Sequence, residues 1–282
     1  MCRWAAWSGA PKYLEELICD PQHSLIEQSR HALSCKTSVN ADGFGAAWYG
    51  ERLTPCVYKD VRPAWSDPNL LQLAHHVKAS VFLAHVRAST GTATVRDNCH
   101  PFTVGRWSFM HNGQIGGYDH FRRRIDNLIP DALYAHRTGA TDSEALFLIA
   151  CGYGLSEEPV PAMARAVREL EDMARTQGGA PFMRFASCWS DGETLYAARY
   201  ASDHLAPTLY YRCYGDGISI VSEPLDEAPG EWLEVESGSF IAVRNGTVSV
   251  GRFFPDKVAS SKGNTPKGCF DVGRGFVESG TG

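Results

Sequence analysis

The sequence predicts an α+β layered domain, in which strands, a central pair of helices and further strands pack as sheets flanked by helices. Short apolar runs bounded by Gly, Asn and Asp recur in both halves of the chain, as strands do. Between them lie two segments with helical signatures, near 141–149 and 159–176. No internal repeat and no long linker divides the chain.

The elements follow in order. Residues 12–18 (KYLEELI) and 24–33 (SLIEQSRHAL) read as early helices. Asn40-Ala41-Asp42-Gly43-Phe44-Gly45 is a turn-rich entry to a strand at 46–49. Asp67-Pro68 caps a helix through Leu70, Leu71, Leu73 and Ala74. Residues 80–86 are almost wholly apolar and read as a buried strand, and 107–110 as another. Thr141-Asp142-Ser143-Glu144 has the capping-box form ahead of an apolar helix. Residues 159–176 place Met163, Ala166, Val167, Leu170 and Met173 on one helical face. Strands then follow at 185–189, 194–198, 218–221 and 239–243, with hairpin signals at Asp191-Gly192 and Asn245-Gly246. One domain over 2–255 and a Gly-, Ser- and Lys-rich surface tail over 256–282 are expected.

Composition removes several function classes. The chain of 282 residues is 44% hydrophobic and 21% charged, as in ordinary globular proteins. Its net charge of -5 lacks the basic footprint of a nucleic-acid binder. The basic cluster Arg122, Arg123 and Arg124 reads as a solvated helix face. The start MCRWAAWSGAP is not a signal peptide, and no apolar run reaches membrane-spanning length. A cytoplasmic protein without membrane contact is expected. The nine cysteines are scattered without a CxxC pair, which argues against a disulfide framework or structural zinc and for reduced, mostly buried thiols.

Cys2 carries the chemistry. A small residue after Met1 permits removal of the initiator, and Cys2 would then hold a thiol and a free α-amine on one carbon. Thiol and α-amine have ordinary pKa values of about 8.5 and about 8, so the amine can take the thiol proton without a histidine. Three further polar signals fall at strand ends or helix starts, where scaffolds present functional groups. They are Arg87-Ala88-Ser89-Thr90, His111-Asn112-Gly113 and Thr141-Asp142-Ser143-Glu144. Each has a structural reading alone: Arg87 as an ion-pair partner, Asn112-Gly113 as a hairpin turn, Asp142 as a favoured charge at a helix N-terminus. Their joint occurrence in this order behind Cys2 favours a site.

That set resembles the class II glutamine amidotransferases. The opening Met1-Cys2-Arg3-Trp4 with Asn40-Ala41-Asp42-Gly43-Phe44-Gly45 is most similar to the stand-alone branch, which includes ergothioneine-pathway γ-glutamyl hydrolases. The resemblance implies the four-layer αββα sandwich of the N-terminal-nucleophile (Ntn) hydrolases, with two antiparallel sheets flanked by helices. It implies that Cys2 attacks a γ-glutamyl amide through a thioester, and that Asn112 and the Gly113 N–H stabilise the oxyanion. Arg87 and Thr90 would hold the substrate carboxylate and Asp142 its ammonium. Gly91 departs from members that carry histidine there. No cofactor or metal is implied, and Asn98, Cys99 and His100 lack a second ligand pair. His85, His100 and His111 read as core or supporting groups, and Asn40 and Asp42 as turn-ordering ones. The substrate would be glutamine or a γ-glutamyl conjugate. With only a short tail after 255, no synthase domain is expected in the chain. A glutaminase subunit feeding ammonia to a separate synthase partner, and a silent amino-acid-binding module, stay open as alternatives.

Overall fold

Trp4, Ala5, Ala6 and Trp7 are all fully buried, so the alternation that marks a half-exposed strand is missing there. The segment is nonetheless strand β1 (Arg3–Tyr13), the middle of a seven-stranded antiparallel sheet. The computed structural model describes residues 2–31, 39–89, 91–177 and 179–254. Thr90, residues 32 and 33 of the second expected helix, and the tail after 254 lie outside them.

β1 is flanked by β4 (Lys78–Val86) and β10 (Gly217–Val221). Beyond β4 lie β2 (Phe44–Trp48) and β3 (Cys56–Asp60), and beyond β10 lie β9 (Tyr210–Cys213) and β11 (Leu233–Glu234). A second, six-stranded sheet has the order β13 (Thr247–Arg252), β12 (Ser239–Arg244), β8 (Thr194–Ala201), β7 (Met183–Ser190), β6 (Trp107–Ile115), β5 (Phe102–Val104). Every pairing in both sheets is antiparallel.

Alternation along the strands sorts the apolar side chains into three layers of contact. Trp7, Phe82 and Val86 pack outward on α1 (Glu15–Ile18), α2 (Leu25–Arg30) and α3 (Pro68–His76), through Leu17, Ile26 and Leu70. Trp4, Ala6 and Leu83 face the second sheet and meet Met110, Leu195 and Ile241. On that sheet's outer face, Phe109 and Phe185 pack under α4 (Tyr118–Asp126), α6 (Asp142–Gly152) and α7 (Pro159–Gln177), through Phe121, Phe147 and Leu170. A short α5 (Asp131–Tyr134) precedes α6. Three apolar interfaces separate four layers: helices, sheet, sheet, helices. This is the expected sandwich.

Several sequence expectations hold locally. Asp67 caps α3, its Oδ1 accepting the Leu70 N–H at 2.8 Å. Asn245 and Gly246 both have positive φ (50° and 74°), as a type I′ hairpin needs. Others need correction. Residues 12 and 13 belong to β1, and the helix starts only at Glu15. The strand expected at 107–110 runs on to Ile115, because β7 stays paired with it that far, so His111-Asn112-Gly113 lies inside β6 rather than after it. The capping box is half formed: Thr141 Oγ1 accepts the Glu144 N–H at 3.2 Å, but the Glu144 carboxylate turns to Arg137, Thr138 and Gly139. Among the described free cysteines, Cys99 and Cys188 are buried while Cys2, Cys19 and Cys151 are partly exposed and Cys56 is exposed, and Cys213 is disulfide-bonded, against the expectation of reduced core thiols. Among the described residues no helix is long and apolar enough to cross a membrane.

Candidate active site

Cys2 sits at the mouth of the sandwich, one residue before β1. Its place in the alternation of Trp4 and Ala6 directs its side chain toward the gap between the sheets. The thiol is half-buried against the end of β4. Its Sγ lies 3.4 Å from the Ala88 N–H, which donates to it, and 3.5 Å from the Ala88 carbonyl oxygen. Burial pushes the thiol up from its ordinary value, while the Ala88 N–H and the charges of Arg87 and Arg3 pull it back.

β4 and β6 bring the remaining groups to this end. A cleft there is lined by Cys2, Arg87, Gly113 and Asp142, four residues scattered through the sequence. Arg87 follows β4 and is buried. Its Nη1 donates to the Asp42 carbonyl at 3.2 Å, and its Nη2 to Thr92 Oγ1 at 2.7 Å and Ser89 Oγ at 3.2 Å. Asp42 accepts the Ser89 N–H at 2.7 Å, so it orders the turn as expected.

The open edge of β6 explains Gly113. β5 pairs with β6 only as far as Phe109, leaving residues 111–115 without a neighbour on that side. Hydrogen-bonding direction alternates along an antiparallel strand. The His111 carbonyl faces the open edge and lies 3.3 Å from His85 Nε2. The Ile115 N–H faces the same way and donates to Asp142 Oδ2 at 3.0 Å. Gly113 lies between them in the same phase, so its N–H is directed to that edge. A Cβ at Gly113 would meet the Arg184 carbonyl oxygen at 2.0 Å and His111 Nε2 at 2.3 Å, so only glycine fits.

Asn112 does not line the cleft itself. It has the phase of Met110, which packs in the inter-sheet layer with Trp4, and is buried with both amide atoms unpartnered. Asp142 opens α6, where the helix N-terminus favours its charge. Its Oδ1 accepts the Ser143 N–H at 2.8 Å.

The three histidines form a buried row beside these groups. A carbonyl only accepts, so His85 Nε2 carries its proton, and its Nδ1 is left without a partner. Burial lowers His85 to about 3 and holds it neutral. His100 stacks on it at 4.2 Å with both ring nitrogens unpartnered, and is also lowered by burial. His111 Nε2 donates to the Arg184 carbonyl at 3.2 Å, and its Nδ1 accepts from Ser143 Oγ at 2.9 Å. No group of described His, Cys, Asp and Glu residues has the form of a metal site.

Reading the sequence did not find Gln114, Tyr118, Asp119, His120 or Arg184, which complete the cleft wall. Gln114 was accessible in principle: two positions past Asn112 on a strand, it shares that residue's phase once β6 is carried to Ile115. Arg184 reaches the site only through the pairing of β7 with β6, which leaves no local signal.

Two antiparallel sheets between helical layers, with a cysteine at the head of the central strand, define the Ntn-hydrolase sandwich. A family model described as glutamine amidotransferases class-II matches residues 24–216, and the chain belongs to that family. It is similar to a probable glutamine amidotransferase, DUG3, of Saccharomyces cerevisiae, with 30% identity over 88% of this chain and 83% of that protein. It is also similar to the γ-glutamyl-hercynylcysteine sulfoxide hydrolase of Mycolicibacterium smegmatis, with 27% identity over 89% of this chain and 99% of the relative. Among solved structures, a glutamine aminotransferase class-II domain protein from Silicibacter pomeroyi superposes with a TM-score of 0.74 at 43% identity, covering 90% of this chain and 100% of that one.

Proposed function

We propose that the protein is an N-terminal-cysteine amidohydrolase that cleaves γ-glutamyl amides through a thioester on Cys2. The observation that carries this reading is the convergence of Cys2, Arg87, Gly113 and Asp142 on one cleft from four separate elements. Removal of Met1 frees the Cys2 α-amine. The amine takes the thiol proton, and the thiolate attacks the γ-carbonyl carbon. Negative charge collects on the carbonyl oxygen, where the Gly113 N–H and Asn112 Nδ2 donate to it. The unpartnered Asn112 amide supports this role, since a buried amide without a partner costs about 1–3 kcal/mol in the free enzyme. Collapse of the adduct breaks the C–N bond, and the amine nitrogen leaves with the proton held by the α-amine. Water then attacks the thioester, gives its proton to the α-amine, and glutamate departs as Cys2 regains its thiol.

Arg87, with Thr90, holds the α-carboxylate, and Asp142 holds the α-ammonium. These contacts fix the substrate backbone and leave only the γ-carbonyl at Sγ. The match over 99% of a γ-glutamyl hydrolase favours hydrolysis of a conjugate over ammonia transfer to a synthase partner. The whole scheme is tested on protein whose loss of Met1 is verified by intact mass. Wild type should release glutamate from a panel of γ-glutamyl amides, and Cys2→Ala should release none. Turnover by Cys2→Ala would overturn the assignment. Turnover of glutamine alone, with a synthase co-purifying, would favour the ammonia-donor reading.

A further inference from the structure

Arg3 is a buried arginine, 1% exposed, one residue from the thiol. β1 should direct it away from Cys2, into the helical layer, but the guanidinium bends back. Its Nη1 donates to the Cys2 carbonyl at 3.0 Å, and its Nε donates to Glu223 Oε2 at 2.6 Å. Glu223 is 4% exposed and follows β10, where Ser222 also holds Trp4: Ser222 Oγ accepts the Trp4 N–H at 2.9 Å. The head of β1 is therefore gripped by two consecutive residues just after β10, more than two hundred positions away in sequence.

Stability alone does not account for this pair. A buried ion pair contributes roughly nothing net compared with apolar residues of the same shape. Arg3 also buries Nη2 with no hydrogen-bond partner, which costs about 1–3 kcal/mol. The return comes at Cys2, the terminal residue once Met1 is gone, and terminal residues fray unless tied down. The carbonyl that Arg3 holds belongs to the same residue as the reacting amine, so the guanidinium lies on the order of 6 Å from that nitrogen.

We propose that Arg3, anchored by Glu223, is a positioning residue that ties down the N-terminal cysteine and electrostatically keeps its α-amine neutral for proton transfer. This rests on the amidohydrolase reading above. A guanidinium near an ammonium disfavours the ammonium, and near a thiol it favours the thiolate; both effects move the pair toward the reactive state. The sign of the thiol effect agrees with Arg3 pulling Cys2 downward. Other titratable or charged groups share the cleft with Cys2: Arg87 after β4, His100 before β5, His111 on β6, Asp119 and His120 on α4, Asp142 on α6 and Arg184 on β7, with Cys99 close enough to feel its charge. Arg3 differs from these in that it donates to the backbone of Cys2 itself. Glu223 tempers the charge of Arg3 while fixing its place.

The experiment is a pH–rate profile of kcat/KM on Met1-processed protein. Arg3→Gln should move the acid limb upward by about one pH unit and lower kcat at least tenfold near neutrality, because the amine stays protonated to higher pH. Glu223→Gln removes the tempering charge and should move the limb downward, opposite in sign. Arg3→Lys should restore the limb's position but only part of kcat. Circular dichroism and Tm verify folding. Should Arg3→Gln fail to fold, Glu223→Gln and Arg3→Lys still carry the test. Unmoved limbs in folded variants, or shifts of one sign in both Gln variants, would overturn the inference. If those limbs stay put while Cys2→Ala is dead, the inference alone fails. If Cys2→Ala is active, the amidohydrolase reading fails with it.

Discussion

The two ends of the cleft are built in opposite ways. At the end proposed to bind substrate, the polar atoms are engaged within the protein itself. Asp142 accepts from Ile115 and Ser143, and Arg87 donates to Thr92, Ser89 and Asp42. Beside the thiol, at what the proposed mechanism makes the reacting end, the Asn112 amide and His85 Nδ1, behind the cleft wall, and both nitrogens of His100 are buried without partners. On the proposed mechanism, the groups that would bind a standing charge are held in place by the scaffold. The Asn112 amide, which would meet charge only as it develops, is left open in the free protein at a cost in stability. Stability and activity should therefore separate along the cleft, and mutations can break or sharpen that contrast.

The largest effect is expected at Gly113, which joins the two ends. Gly113→Ala drives a methyl into the Arg184 carbonyl and should abolish turnover and lower Tm steeply; wild-type kcat would refute the close packing there. Asn112→Ala comes next and probes the reacting end. Loss of one oxyanion donor should reduce kcat by about 100–1000-fold with little change in KM. Its Tm should hold or rise, since an unpartnered amide is removed; a large fall in Tm would contradict the contrast. Asp142→Ala probes the other end and should combine both losses. KM should rise steeply, and stability should fall by about 1–3 kcal/mol as the Ile115 and Ser143 N–H groups lose their acceptor.

The smallest effect is in acid. His85 is neutral in the fold and lowered to about 3, whereas the unfolded chain protonates it near 6.5. Between those values the unfolded state binds more protons, so stability falls as pH drops through that window. The contribution is about 2 kcal/mol at pH 5. His85→Gln should flatten the dependence of Tm on pH there; an unchanged slope would remove His85 from the balance.

What was legible in the sequence followed the same division. Helix caps and hairpins such as Asp67-Pro68 and Asn245-Gly246 act within a few residues, and they were read correctly. β1 was missed because both of its faces are buried, which erases alternation over Trp4 to Trp7. β6 was cut short because its polar end looks like a turn until the open edge of the sheet is seen. Cys2, Arg87, Gly113 and Asp142 were found by type and order, and the fold brings them to one cleft. Arg3 was not singled out, since its partner Glu223 is distant in sequence. Arg184 and His120 enter the wall only through pairing and packing that no local pattern records.

The place of β1 in its sheet also sets a schedule. Among the described strands of this sheet the middle one is made first, and one of its neighbours, β10, is made long after it. Until residues 217–223 exist, Trp4 lacks its Ser222 grip and Arg3 lacks Glu223. β4 can pair with β1 much earlier, but the two side-chain anchors at the head of β1 come late. The residues that follow β10 then supply both anchors together. Order along the chain thus makes the seating of the first strand's head one of the last local contacts to become available.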